Sequence, residues 1–457
     1  MEQEKTIAAI STGAAPGGIG IVRLSGREAR VVADRVFIAR SGRPVAGMKG
    51  YTAALGTVQD SAGEKLDDAV ALVFAAPKSY TGEDVVELSV HGGLTVTRRV
   101  LRAVLEAGAS PAGPGEFTRR AFLHGKMDLT QAEAVMELIS AGGEQAARAA
   151  QAGSSGALSR RIVALREELA GLAAHLAAWA DFPDEGVPEV EEQELTHGLA
   201  HTEEALRELL AGYERGAVFR EGVATVIAGR PNAGKSTLMN LLAGRQRSIV
   251  TSIPGTTRDV VEDTVLLGGI PLRLADTAGL RDTADPVESI GVEAAKERLA
   301  TAQLILAVFD SSQQLTEEER RWLEELDPAR TVAIINKTDL EPVLEEKAIL
   351  ERFPRTVRLA ASEGRGLEDL EHAVADLLGT AAFQPLDGGL FTERQREDVR
   401  TALAAIQEAR QAMALGLTWD AVTVCVEDAL SALYALTGER VSEEVVDRVF
   451  EEFCVGK

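Results

Sequence analysis

Disulfides cannot organise this chain, because Cys425 and Cys454 are the only cysteines in 457 residues. That usage points to a reducing cytoplasm as the expected compartment. No run approaches 18 consecutive apolar residues, so no membrane span is expected. The opening residues MEQEKTIAAISTG lack the basic start and apolar stretch of a signal peptide. Aromatics make up only 4%, but aliphatic residues are ample for real cores. Positive charge is also short. Lys and Arg number 48 against 71 Asp and Glu, a net charge of −23, which argues against a protein that coats nucleic acid nonspecifically. The deficit is uneven: residues 1–125 carry +2 and the remainder −25. A nucleic-acid contact would therefore fall on the N-terminal part or involve a basic partner.

The length suits about three domains. Residues 1–120 mix β-like runs (Ile19–Leu24, Ala69–Phe74, Val85–Val90) with Gly/Pro turns and a helical stretch from Leu94 to Ala107. The pattern reads as an α+β domain. From Thr130 the texture turns to Ala, Leu, Glu and Arg. Ile162, Leu165, Leu169, Leu172, Leu176 and Trp179 recur every three or four residues as one helical stripe, the signature of a bundle core. Phe182-Pro183-Asp184-Glu185 breaks that helix, and a second one ends near Tyr213. Residues 216–380 alternate strand, loop and helix, which signals a mainly parallel α/β sheet. Beyond the linker Gln384–Gly389, Thr392-Glu-Arg-Gln395 has the form of a capping box opening further helices. Helical material thus flanks the α/β unit. The expected architecture is multidomain α/β: an N-terminal α+β domain (1–120), a helical domain (121–215 and 381–457), and an α/β domain (216–380) inserted into it.

Val223–Ala228 leads into Gly229-Arg-Pro-Asn-Ala-Gly-Lys-Ser236, which is GxxxxGK[ST] in the strand-to-helix context that motif needs. Backbone N–H groups of Asn232, Ala233, Gly234, Lys235, Ser236 and Thr237 suit phosphate oxygens at a helix start. Lys235 is placed to reach the β/γ-phosphates and Ser236 to bind Mg²⁺. Asp276-Thr277-Ala278-Gly279 follows a strand-like run, where a carboxylate can hold the metal's water shell and Gly279 admits the γ-phosphate. Asn336-Lys337-Thr338-Asp339 follows Thr331–Ile335. A carboxylate at Asp339 can accept from both the ring N–H and the exocyclic amine of guanine, donors that adenine does not offer together. The ordered set defines a P-loop, Ras-like guanine nucleotide-binding domain with GTP as substrate. Leu280 stands where small GTPases such as Ras carry the glutamine that positions water. The loop Thr251, Ser252, Ile253, Pro254, Gly255, Thr256, Thr257 offers hydroxyls and carbonyls to cations, with Thr257 as the candidate second Mg²⁺ ligand.

The segments TIAAISTGAAPGGIGIVRLSG, SYTGEDVVELSVHGG, PGEFTRRAFLHGKMDLTQAEAV, GRPNAGKST, PGTTRD, DTAGLR, NKTD and the terminal FCVGK together resemble the tRNA-modification GTPase family known as MnmE or TrmE. The resemblance runs along essentially the whole chain. It implies a homodimer whose inserted GTPase domains meet when K⁺ is bound. K⁺ would be ligated by Asn232, Thr256 and the main chain of Thr251 and Ile253, and Glu288 would orient the attacking water. The guanine loop, usually Ser-Ala, reads Ala360-Ala361-Ser362 here. The N-terminal domain resembles a folate-binding module, with Arg23, Glu87, Lys126 and the terminal Lys457 contacting a 5-formyltetrahydrofolate-type ligand. By resemblance, the chain acts with a flavin-dependent partner, in a heterotetramer or larger complex, on C5 of the wobble uridine of certain tRNAs. An Era-like ribosome-assembly GTPase and a folate-sensing regulatory GTPase are the competing functions.

Three features invite other chemistry. FCVGK is not a prenylation box, since Gly456 is not aliphatic and Lys457 is a poor last residue. Cys454 reads as a structural or buried member of the tail rather than a catalytic thiol. His197 and His201 stand i, i+4 like half a zinc site but lack a third ligand. His91 in His-Gly-Gly is expected to serve its loop or the folate pocket.

Overall fold

The computed structural model describes residues 5–13, 15–181, 192–245, 263–274, 299–380, 388–451 and 453–456. The chain divides into two units. One comprises residues 1–136, 154–203 and 392–457, the other 137–153 and 204–391.

The first unit holds a seven-stranded sheet built from β1 (Ile7–Ile10), β2 (Ile19–Ser25), β3 (Phe37–Ala39), β4 (Thr52–Gln59), β5 (Lys65–Phe74), β6 (Val85–His91) and β7 (Ser110–Pro111). Their order is β3-β4-β5-β6-β2-β1-β7, antiparallel throughout except for the β1–β7 pair. Strand alternation sends Val22, Leu24, Val58, Ala71, Val73, Val86 and Leu88 into a core shared with helices α1 (Ala29–Val36) and α2 (Leu94–Glu106). Ile38, Leu55 and Val70 emerge exposed on the other face, where Leu55 and Val70 are direct cross-strand partners.

Helix α3 (Glu116–Leu123) leads into α4 (Leu129–Ser140), and α5 (Glu144–Ser154), α6 (Ala157–Asp181) and α7 (Glu192–Glu221) follow. Within the α6 stripe Ile162, Leu165, Leu169 and Leu176 are buried, while Leu172 and Trp179 are half-buried. Helix α7 runs past Tyr213 because its last turn is needed: Phe219 is buried in the core of the second unit.

That second unit carries a six-stranded sheet of β8 (Val223–Ala228), β9 (Asp263–Leu267), β10 (Ile270–Leu274), β11 (Leu304–Asp310), β12 (Thr331–Asn336) and β13 (Thr356–Arg358). The order is β13-β12-β11-β8-β10-β9, parallel apart from the β9–β10 hairpin. Every residue of β11 and β12 is buried, as expected of central strands covered on both faces. Helices α8 (Lys235–Arg245), α9 (Glu317–Glu325), α10 (Lys347–Arg352) and α11 (Leu367–Leu377) supply that cover.

Back in the first unit, α12 (Glu393–Ala414) and α13 (Trp419–Thr437) form a hairpin with α6 alongside α13. Helix α14 (Glu443–Glu451) joins Leu129 of α4 through Val446, Phe450 and Phe453. Thr392 caps α12 by accepting from the Gln395 amide. The Gln395 side chain does not complete the box; it donates to Glu133 at 2.6 Å. Buried Glu133 also accepts from Arg394 Nε and Nη2 (2.8 and 2.7 Å) and from Thr392 Oγ1 (3.1 Å). The tertiary carboxylate takes the Gln395 side chain, while the Thr392 cap itself stays in place.

Candidate functional site

Two sites emerge, one in each unit. In the second unit, the loops that follow parallel strands β8, β11 and β12 gather at one sheet edge. That is where open α/β sheets bind ligands. The β8–α8 turn places Asn232 at φ +64° and Gly234 at φ +98°, and Lys235 opens α8. Ser236 and Thr237 stand exposed on the first helical turn. Lys235 Nζ donates to the carbonyls of Gly229 (2.7 Å) and Arg230 (2.8 Å). Those two oxygens take the places that phosphate oxygens would fill around the ammonium.

Asn336 joins three loops. Its Nδ2 donates to the Ala233 carbonyl at 3.0 Å and its Oδ1 accepts from the Ala361 amide at 3.1 Å. Gly234 is required at this crossing, since a Cβ there would stand 2.2 Å from Asn336 Nδ2. Lys337 adopts φ +62° and Asp339 is exposed at the loop. Ser362 Oγ donates to Asp339 Oδ2 at 3.4 Å. Ala360 and Ala361 are buried, and the Ala360 amide donates to the Arg365 carbonyl.

One residue of this site has no motif to announce it. Asp310, 5% exposed at the end of β11, accepts from Lys337 Nζ at 2.7 Å and lies 3.6 Å from the Arg230 guanidinium. Burial pushes its carboxyl up, but hydrogen bonds from Lys337 and Ser312 outweigh that and hold it below the ordinary aspartate value. The signal was an apolar run, LILAVF, closed by a carboxylate at the loop end of the sheet. Thr251, Ser252, Ile253, Pro254, Gly255, Thr256, Thr257, Asp276, Thr277, Ala278, Gly279 and Glu288 lie outside the described residues, as does Lys457.

In the first unit, Arg23 of β2 and Glu87 of β6 are direct cross-strand partners. Arg23 Nε donates to Glu87 Oε1 at 2.9 Å, and its guanidinium lies 5.6 Å from the centre of the Phe117 ring. The C-terminal tail meets this pair. The Gly456 carbonyl accepts from Ser11 Oγ (3.0 Å) and Arg23 Nη1 (3.4 Å), and Val455 bridges to Pro114. Gly456 sits at φ +101°, where a Cβ would fall 2.3 Å from the Ile10 carbonyl oxygen. Phe453 anchors the tail in the α4–α14 core, and the Cys454 carbonyl accepts from the Gly115 amide at 3.4 Å. Cys454 is exposed, not buried as expected; the tail buries Phe453 and Gly456 and leaves Val455 exposed as well. Tyr80 reaches toward the same place, its phenol hydrogen-bonded to Thr118 at 3.0 Å. Burial raises the tyrosine's pKa, opposed by Thr118 and by the charge of Arg23. Lys126 is exposed and stands apart, donating to the Pro77 carbonyl at 3.0 Å.

Family models match both parts of the chain. A GTP-binding protein TrmE N-terminus model covers residues 6–126, and an MnmE helical domain model covers residues 129–454. A tRNA modification GTPase MnmE from Symbiobacterium thermophilum is 46% identical, spanning 99% of this chain and all of the relative. The chain belongs to the MnmE family of tRNA modification GTPases. Relatives of the same name in Heliobacterium modesticaldum (44%, 99% of each chain) and Geobacter sulfurreducens (42%, all of each chain) match it end to end. Of the histidines singled out in the sequence, His201 Nδ1 pairs with Glu168 at 3.0 Å and His91 Nδ1 with Asp67 at 2.7 Å. No cluster of metal-ligating side chains occurs among the described residues.

Proposed function

We propose that this chain is a K⁺-dependent GTPase that acts in the cytoplasm. With a flavin-dependent partner, it would install an aminomethyl or carboxymethylaminomethyl group on C5 of the wobble uridine of certain tRNAs. The one-carbon unit would come from a tetrahydrofolate bound in the first unit. One observation carries the GTPase reading: Asn336 draws the phosphate loop, the NKTD loop and the 360–362 loop onto one edge of the sheet.

Lys235 would exchange its bonds to the Gly229 and Arg230 carbonyls for β/γ-phosphate oxygens, and Ser236 and Thr257 would hold Mg²⁺. Asp339 would read guanine. Asn232, Thr256 and the main chain of Thr251 and Ile253 would hold K⁺, and Glu288 would orient water. Mg²⁺ and K⁺ supply the positive charge that offsets negative charge developing on the transferred phosphoryl group. At the second site Arg23 would pair with an anionic group of the folate and Glu87 would accept from pterin donors, with Lys457 adding its charge. Lys126 holds the loop bearing Tyr80 and offers its charge from there. The exposed apolar sheet face, with Leu55 against Val70 and Ile38 nearby, suits a second copy of the chain as homodimer partner.

Steady-state GTP hydrolysis in KCl and in NaCl at equal ionic strength tests the mechanism. Turnover at least about 10-fold faster in KCl is expected, of the order a well-placed charge contributes. Equal slow rates in both salts would remove K⁺ and the 251–257 loop from the mechanism and leave GTP binding intact.

A further inference from the structure

We propose that Asp310 is a positioning residue that ties the phosphate loop to the guanine loop, so that the two hold nucleotide as one unit. This rests on reading 229–236 and 336–339 as the nucleotide loops.

Asp310 Oδ1 is fixed by the Ser312 amide (3.0 Å) and hydroxyl (2.6 Å). Its Oδ2 faces two cations, one from each loop: Lys337 at 2.7 Å and Arg230 at 3.6 Å. Arg230 is the second residue of the phosphate loop, and it also lies 3.6 Å from Glu319, itself a buried carboxylate. The neighbouring Ser311 grips the guanine loop from the same turn. Its amide donates to the Asn336 carbonyl (2.9 Å) and its hydroxyl to the Lys337 carbonyl (2.8 Å). Lys337 is held at φ +62°, a left-handed conformation that a non-glycine residue keeps only when its surroundings enforce it.

A buried carboxylate with both oxygens occupied and a cation on each flank is costly unless its partners stay in place. The arrangement is paid for by loop order before nucleotide arrives, and pre-formed loops release ligand slowly. Among the described residues Asp310 is held by Ser312, Lys337 and Arg230 and not by the base-reading Asp339, so its loss should speed release of GDP and GTP alike. Base choice and the hydrolytic step at saturation should be spared.

The test uses the full chain carrying Asp310→Asn. Stopped-flow release of a fluorescent GDP analogue should be about 10- to 100-fold faster, the size expected when one member of a buried charged set is neutralised. KM for GTP should rise in parallel, with kcat within about 2-fold and the preference for guanine over xanthine unchanged. Arg230→Ala should speed release in the wild-type background and add little on top of Asp310→Asn, a non-additivity that general loosening would not give. Ser312→Ala, which removes one bond to Oδ1, should act in the same direction by about 2- to 5-fold and serves if Asp310→Asn fails to fold. Unchanged GDP release in folded Asp310→Asn, or in Ser312→Ala should the first variant not fold, overturns the proposal. Asp339→Asn separates the underlying reading: if that variant keeps normal guanine affinity, the loop assignment itself fails.

Discussion

The nucleotide site and the tail site are assembled on opposite principles. The first is made of short contiguous segments (229–237, 310–312, 336–339, 360–362), each following a β-strand at the same edge of one sheet. Parallel topology alone puts them together. The second joins Ser11, Arg23, Glu87, Phe117 and Gly456, and its hydrogen bond from Ser11 to Gly456 spans 445 positions. No local pattern announces that contact; it exists because Phe453 is buried against Leu129 and Phe450 and brings the tail round. A site built by topology survives changes elsewhere in the chain, whereas a site built by a docked terminus depends on whatever seats it.

The sharpest way to separate the two is to damage the base reader. Asp339→Asn should weaken GTP binding by about 100-fold or more, as loss of a guanine-specific acceptor pair does. It should also gain affinity for xanthosine nucleotides while folate binding stays normal. Titration of both nucleotides and of 5-formyltetrahydrofolate checks this, and unchanged GTP affinity would contradict it.

The smallest effect concerns neither site. Asp398 pairs with Arg394 at 2.7 Å beside Glu133. Burial raises its pKa to about 6, with Arg394 opposing and Glu133 and Glu397 adding to the rise. A carboxyl raised in the folded state gives stability that is complete below its ordinary value near 4 and is lost as pH climbs through about 6. Asp398→Asn should therefore stabilise the chain at pH 8 by roughly 1–2 kcal/mol, less than the about 3 kcal/mol that a two-unit shift would give in full, because solvent screens the partly exposed carboxyl. Near pH 4 the gain should vanish. Thermal melts at the two pH values decide it, and both ligand affinities should stay unchanged.

Legibility in the sequence followed the same division. Periodicity located β2, β5, β6, α2, the α6 stripe and the parallel alternation of the second unit, because each has a strong local signal. Strands β3 and β4 leave little local signal: β3 is only three residues, Phe37–Ala39, and the Ala, Gly and Thr of β4 give a faint alternation, with Gly56 lying where a Cβ would meet the Ile38 carbonyl at 2.3 Å. The end of α7 was placed early because Phe219 is recruited by a core that forms later in the chain. Asn336, Lys337 and Asp339 were readable as a motif. The partner that holds Lys337, Asp310, was not, since it belongs to a different strand and carries no motif of its own. Arg23 and Glu87 could be named only through resemblance, and the sheet register shows why they belong together.

The dependence of one site on its docked tail is tested most directly by Gly456→Val, in which a Cβ would collide with the Ile10 carbonyl and unseat the tail. Affinity for 5-formyltetrahydrofolate and for a fluorescent GDP analogue should be measured on the same preparation. The expected result is folate binding weakened by about 10-fold or more, the loss of a charge-assisted contact or two, with GDP binding unchanged. Normal folate binding, or an equal loss at both sites, would contradict it.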